Sequence, residues 1–221
     1  MGSAYIQQGD LECGFQSCRE ALALTPVPRD AVMSKATCAY ADTKAGRFDA
    51  GIAGLTETLA WFGCSDIRYT HQFYALWLAE DYLRRGDWAN ARPLIQDLVN
   101  TCCSRGYLPL EGWACWLMGE CFAAEASAAA EDYVETAMRI FEDIGARNDL
   151  AGAMVAGAAL RQAAGDTATA RQFLSVASII FRKLGTRGEP ARIEAALDRG
   201  SPIRLLDNLD IQIPGPRGGA G

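Results

Sequence analysis

The chain has 221 residues, 21 basic against 27 acidic side chains, a formal net charge of −6, and half of its residues are hydrophobic. This apolar content can bury a sizeable core, so disorder is excluded as the default state. The acidic balance supplies no basic stripe to neutralise phosphates, which argues against nucleic acid and anionic membrane surfaces as partners.

The sequence carries no targeting or membrane-spanning signal. Residues 1–6 lack both the charged start and the apolar core of an export signal. No apolar run approaches the roughly 20 residues that a bilayer-spanning helix needs. We therefore expect a cytoplasmic protein.

A repeated turn, in which a glycine is usually followed by a polar residue, is the main signal in the chain. It occurs at Gly9, Gly46, Gly86 and Gly165, which are 37, 40 and 79 residues apart. Because 79 is close to twice 40, we expect one degenerate copy between the last two. A period of 20 to 50 residues is typical of arrays of one supersecondary unit.

An entire helix face recurs when the last repeat is moved back by 40 residues, which pairs Phe181 with Phe141 and Gly185 with Gly145. In each repeat the apolar residues fall at i, i+3, i+4, i+7 and i+11, the spacing of one face of an α-helix. The segment before each turn has the same period. Each repeat is thus predicted to hold two helices, helix A before the turn and helix B after it.

The predicted fold is all-α, with four and a half helical hairpins and a closing helix in a single domain over 1–199, followed by a flexible tail over 200–221. The predicted hairpins cover 3–25 (a half), 29–64, 65–106, 107–146 and 147–186, with the closing helix at 189–199. Small residues fall where helix A must approach helix B closely: Ala39, Ala79, Gly119 and Ala158.

Helix ends are also marked. Aspartates that can cap or charge the first turn of helix B are Asp49, Asp87 and Asp166. Glycines that suit the left-handed residue at its end are Gly63, Gly106, Gly145 and Gly185.

The third repeat has Leu78, Ala79, Tyr82, Gly86 and Ala91 in relative positions that resemble the tetratricopeptide consensus. The resemblance implies a right-handed α-α superhelix in which helix A lines the concave side. Two departures are the repeat length, near 40 rather than 34, and the residues Asp42 and Arg161, which replace the expected aromatic.

The endings 141–145 and 181–189 resemble those of repeat arrays at the C-terminal end of large bacterial signalling proteins, namely adenylate cyclases with ATPase modules and ATP-dependent transcriptional activators. This resemblance covers roughly residues 3–199. The first helix A is also short, Ser3 to Gln8, so the N-terminus is expected to meet a neighbouring domain of a larger parent chain or a second copy.

Catalytic and metal-binding chemistry finds little support. His71 is the one histidine, so a two-histidine metal site cannot form, and no phosphate-binding loop occurs. None of the eight cysteines forms a C-x-x-C pair. We predict no catalytic residue, metal or cofactor; a thiol-based redox or metal role for Cys102 and Cys103, with Cys115 and Cys121 nearby, remains an alternative.

The favoured function is a non-catalytic scaffold or regulatory module that binds a peptide, a helix or a neighbouring domain in its concave groove. The other alternative is a small-molecule or peptide sensor domain of a larger signalling protein. Outward helix-A positions, carried across repeats by the tetratricopeptide arrangement, give the predicted partner contacts: Tyr40, Lys44, Phe73, Glu80, Arg84, Trp113, Trp116 and Glu120. Met33, Val155 and Gln162 share that register.

Overall fold

The computed structural model describes residues 2–63 and 67–199, and within them it contains α-helices and no strand. None of these helices has the length and apolar character to cross a membrane. The all-α prediction is confirmed; the predicted tail 200–221 and Cys64 lie outside the described residues. The helices are α1 (Gly2–Gln7), α2 (Leu11–Leu24), α3 (Pro28–Lys44), α4 (Phe48–Gly63), α5 (Arg68–Arg85), α6 (Trp88–Arg105), α7 (Leu108–Ala124), α8 (Ala129–Asp143), α9 (Arg147–Ala163), α10 (Thr167–Leu184) and α11 (Glu189–Arg199).

The chain divides into two compact units, Met1–Leu94 and Ile95–Gly221, with the boundary inside α6. In the first unit each helix from α1 to α5 packs on the next, and α3 also contacts α5. In the second, each helix from α7 to α11 packs on the next, and α7 also contacts α9. Consecutive hairpins with contacts between successive A helices are what the 40-residue repeat predicts, and the predicted helix boundaries agree to within a few residues.

The start of helix B is capped by aspartate, as predicted. Asp166 accepts a hydrogen bond from the backbone N–H of Thr169 at 3.1 Å, and Asp87 accepts one from that of Asn90 at 3.3 Å. Asp49 lies in the first turn of α4, where its charge complements the helix dipole. These contacts satisfy backbone donors that the helix itself leaves unpaired.

Three of the four glycines predicted to end a B helix have the expected left-handed conformation. Gly106, Gly145 and Gly185 have φ of +67°, +70° and +73°. The prediction for Gly63 is wrong, because α4 runs through this residue and its φ is not left-handed.

Ala126 is the missing glycine of the degenerate repeat. It lies 40 residues after Gly86 and has a φ of +53°, against +79° for Gly86. The backbone N–H of the following residue, Ser127, donates to the Phe122 carbonyl at 2.9 Å. In the preceding turn the backbone N–H of Asp87 donates to the Tyr82 carbonyl at 2.8 Å. The shape of the turn between helices A and B therefore imposes a left-handed residue here even without glycine.

The small residues at the contact between helices A and B are tightly enclosed. A Cβ added to Gly54 of α4 would lie 2.7 Å from that of Ala39 in α3, and one added to Gly119 of α7 would lie 2.5 Å from Val134 Cγ2 in α8. Ala79 and Ala158 are 0% and 1% exposed. The close approach predicted from the repeat register is confirmed at these positions.

The left-handed turn yields a matched pair of substitutions. Ala126→Gly should raise the free energy of unfolding by roughly 0.5–1 kcal/mol. A left-handed alanine costs about 1–2 kcal/mol, and relief of this cost is partly offset because glycine loses more conformational entropy on folding. Gly86→Ala should lower it by about 1 kcal/mol. Urea denaturation followed by circular dichroism measures both; effects of equal sign would contradict the shared turn geometry.

Candidate functional site

Helices α3 and α5 of the first unit bring four predicted partner contacts into one network. Glu80 Oε2 accepts from the Tyr40 hydroxyl at 2.6 Å, and Glu80 Oε1 accepts from Lys44 Nζ at 2.7 Å and from Arg84 Nε at 2.9 Å. Tyr40 and Lys44 are one turn apart on α3, as Glu80 and Arg84 are on α5, so each pair shares a helix face. Glu80 is the common acceptor that joins the two helices.

The ionisation state of Glu80 is determined by its contacts with the cationic side chains of the network. Burial alone would raise the pKa of Glu80, but Lys44 and Arg84 outweigh it and hold that pKa well below its usual range. Glu80 is therefore ionised at neutral pH, and its two cationic partners keep it so.

Aromatic rings continue the same surface toward the N-terminal ends of the two helices. The rings of Tyr40 and Trp77 are stacked, with centroids 4.2 Å apart and an interplanar angle of 6°. Phe73 lies against Trp77 at 4.7 Å. Trp77 is 1% exposed and Tyr40 is 3% exposed, so both rings are buried. These two rings form the floor of the surface, and Phe73 is partly exposed beside them.

Two exposed apolar side chains complete this surface. Met33 on α3 is 37% exposed and Tyr69 on α5 is 46% exposed. Both share a helix face with the network residues, at intervals of four and seven residues along each helix. We call the whole set the helix-A face of the first unit: Met33, Tyr40 and Lys44 from α3, with Tyr69, Phe73, Glu80 and Arg84 from α5.

A buried carboxyl beside this face was not singled out from the sequence. Asp81 is 0% exposed, and its Oδ2 accepts a hydrogen bond from the Thr43 hydroxyl at 2.6 Å. Its Oδ1 is buried with no hydrogen-bond partner. Burial raises the pKa of Asp81 to about 8, with Glu80 adding to the effect. The absent side chain of Gly51 on α4 makes room here, since a Cβ there would overlap Thr43 Oγ1.

The repeat register could have identified Asp81 as buried. The equivalent residues 40 positions before and after it are Ala41 and Cys121, which are 0% and 2% exposed. A charged residue at a position that is otherwise small and apolar indicates a buried polar group.

The remaining predicted contacts lie on α7 in the second unit. The ring of Trp116 meets that of Phe141 edge-on at 6.5 Å and covers Gly152. Burial raises the pKa of Asp149, and the neighbouring Trp113 side chain opposes this effect. Both tryptophans are partly buried against the core cluster of this unit, and their role as partner contacts stays a prediction.

Glu120 follows these tryptophans on α7 and is 4% exposed. The predicted partner contacts on α7 are thus largely covered. Truncating Trp116 would open a cavity.

The thiols differ in their surroundings. Cys102 is buried and Cys103 is exposed, so these neighbours do not face the same environment. Burial raises the pKa of Cys102 to about 11 and that of Cys115 to about 12, which disfavours the reactive thiolate. Across the described residues, no group of three or more His, Cys, Asp or Glu side chains is placed to hold a metal ion.

No protein-family model matches the sequence, and no curated protein is significantly similar to it. The tetratricopeptide likeness therefore remains a resemblance carried by the third repeat. Support for a function comes from the residues of the helix-A face.

The raised pKa of Asp81 predicts a pH-dependent stability. The folded state binds the proton more tightly than the unfolded state, so the stability that Asp81 contributes is fully present below about pH 4 and declines as pH rises toward about 8. Asp81→Asn should remove this decline, and its stability relative to the parent should grow between pH 5 and pH 8 in urea titrations. Asp49→Asn, at a carboxyl whose side chain is 96% exposed, is the control. Parallel profiles for Asp81→Asn and the parent would mean that Asp81 is ionised when buried.

Glu80 yields a second stability prediction. Glu80→Gln keeps the shape but leaves Lys44 and Arg84 without their shared anion, and we expect a loss of about 3 kcal/mol. Glu57→Gln, at an exposed position of α4, should change stability by less than about 0.5 kcal/mol. Equal losses in the two variants would show that the network contributes little.

Proposed function

We propose that the chain is a non-catalytic interaction module that binds a protein or peptide on the helix-A face of the first unit. The observation that carries this proposal is the set of side chains on one face of α3 and of α5, with exposed Met33 and Tyr69 toward the start of each helix and the Lys44–Glu80–Arg84 network toward the end. The resemblance to tetratricopeptide repeats supports the same location, because partners of that family bind along helix A.

Both halves of the surface have properties that favour binding. Aromatic residues, methionine and arginine are enriched in protein interfaces, and such anchors supply most of the binding energy. The side chains of Lys44, Glu80 and Arg84 are only 22%, 12% and 15% exposed and already hold one another in place. A partner therefore orders few additional side chains, which lowers the entropic cost of binding.

The surface fits an amphipathic helix or an extended peptide. Its apolar side chains would lie on Met33, Tyr69 and Phe73, and its polar ones would lie toward the ion network. In the cell, such a module would act as a scaffold or regulatory part of a larger signalling protein.

A catalytic role is less well supported by the titrating groups. Asp81 has the strongly raised pKa that often marks an active site, but it is 0% exposed and lies between helices. A substrate could not reach it without separation of α3 and α5. We assign Asp81 a structural role.

The test compares two double variants, each of which truncates two exposed apolar side chains. Met33→Ala with Tyr69→Ala alters the helix-A face, and Val176→Ala with Ile179→Ala alters an exposed stretch of α10. A partner isolated with the parent chain and measured by titration calorimetry should bind the first variant at least about tenfold more weakly, or about 1.4 kcal/mol.

Both variants should keep the parent's helicity and melting midpoint, because the altered side chains are exposed. The control variant should bind like the parent. Loss of binding in the α10 variant alone would refute the proposed surface.

A further inference from the structure

Two adjacent contacts join α3 to α5 in the first unit, and they involve consecutive residues of both helices. The Thr43 hydroxyl donates to Asp81 Oδ2 at 2.6 Å. One residue further along α3, Lys44 Nζ donates to Glu80 Oε1 at 2.7 Å. Adjacent residues of a helix do not move independently, because the hydrogen-bonded backbone holds them in place. A separation of α3 from α5 at Asp81 would therefore also disturb the ion network of the helix-A face.

The carboxyl of Asp81 is enclosed by three helices. Asp81 and Thr43 are both 0% exposed. On the side of α4, a Cβ added to Gly51 would lie 3.1 Å from Asp81 Oδ2 and would overlap Thr43 Oγ1. Asp81 Oδ1 is buried with no hydrogen-bond partner. An ionised carboxylate, whose two oxygens accept several hydrogen bonds in water, would keep a single one in this place.

The charged groups around Asp81 do not compensate a negative charge on it. Glu80, the preceding residue on α5, repels such a charge. Lys44 and Arg84 attract it, but both donate to Glu80, as the Tyr40 hydroxyl does. Helix α4 adds acidic side chains at exposed positions and no basic one: Asp49 and Glu57. An ionised Asp81 would thus be a second buried negative charge beside Glu80.

We propose that ionisation of Asp81 separates α3 from α5 and opens the helix-A face, so that this surface is closed while Asp81 carries a proton. A buried and poorly paired carboxylate is costly, and separation of the two helices lets water solvate it. The rings of Tyr40 and Trp77, which stack across the two helices at 4.2 Å, would part in the same movement. The consequence for a partner rests on the proposed function: a helix or peptide held by the closed face would be released when Asp81 loses its proton.

The pH range of this opening follows from the two environments of the carboxyl. In the closed form burial raises the pKa of Asp81 to about 8, and Glu80 adds to the effect. In the open form the solvated carboxyl has the ordinary pKa of about 4. The closed form is therefore favoured most below about pH 4. The ratio of open to closed molecules should then rise about tenfold per pH unit and level off near pH 8.

Exchange of indole N–H groups with heavy water measures this opening directly. Trp77 lies one turn before Asp81 on α5, and its Nε1 is buried without a hydrogen-bond partner, so exchange there requires exposure of the ring. Nε1 of Trp116, in the second unit, is buried in the same way and is the internal control. Rates are measured by nuclear magnetic resonance on the isotope-labelled full chain. Dividing each by the rate of N-acetyltryptophanamide at the same pH gives an opening constant for each ring.

We expect the opening constant of Trp77 to rise about tenfold per pH unit between about pH 5.5 and 7.5, and that of Trp116 to stay constant. Asp81→Asn should remove the rise at Trp77, because an amide does not ionise. Asp49→Asn, at a side chain that is 96% exposed, should retain it. Single variants Trp77→Phe and Trp116→Phe assign the two resonances.

A Trp77 opening constant that does not change with pH in the folded parent chain, verified by circular dichroism, would overturn the proposal. Equal rises at Trp77 and Trp116 would overturn it as well, because the opening would then be global unfolding, and this comparison needs no variant. A rise that persists in Asp81→Asn would refute the role of Asp81. The exchange experiment contains no partner, so the binding proposal fails separately, if Met33→Ala with Tyr69→Ala binds like the parent.

Discussion

The carboxylate of Glu80 holds the first unit's candidate surface together. A buried charge is costly unless it is paired and hydrogen-bonded, and Glu80 meets this condition with donors from both α3 and α5. Because Tyr40 and Glu80 occupy equivalent positions of successive repeats, a slip of one helical turn between the helices would break these hydrogen bonds. The network thus selects one register between two helices that would otherwise be related mainly by apolar packing, which tolerates alternatives more readily.

The same arrangement explains why the adjacent carboxyl behaves differently. Lys44 and Arg84 donate directly to Glu80, whereas Asp81 receives a hydrogen bond from Thr43 and none at its other oxygen. Burial and the charge of Glu80 therefore favour its protonated form. The pKa of Glu80 is thus lowered and that of the next residue, Asp81, is raised, each by its own surroundings. Some active sites use two carboxyl groups whose pKa values differ in the same way. Asp81 is 0% exposed, so the consequence of its raised pKa is for stability.

The sequence was sufficient to predict the helices, their pairing and most of their ends. The 3.6-residue period, the turn glycines and the capping aspartates that mark them all act locally. The 40-residue register also extends to Ala126, whose left-handed conformation follows from its equivalence to Gly86. Burial of the predicted site was harder to predict. Periodicity shows which residues share a helix face, but not how fully neighbouring helices cover it, and this is why Tyr40 and Trp116 are more enclosed than an outward register implies.

The way in which α5 covers α3 indicates what could cover the rest of the helix-A face. Tyr40 is closed off by the stacked ring of Trp77, so one helix of the array already supplies an aromatic side chain to the face of the preceding one. Met33 lies two turns before Tyr40 on the same face and remains exposed, as does Tyr69 two turns before Trp77. A partner helix with a large apolar side chain at this end would continue the packing that the repeat uses internally. The partner would then be recognised by the same apolar packing between helices that stabilises the fold, at positions where the chain's own helices leave apolar surface exposed.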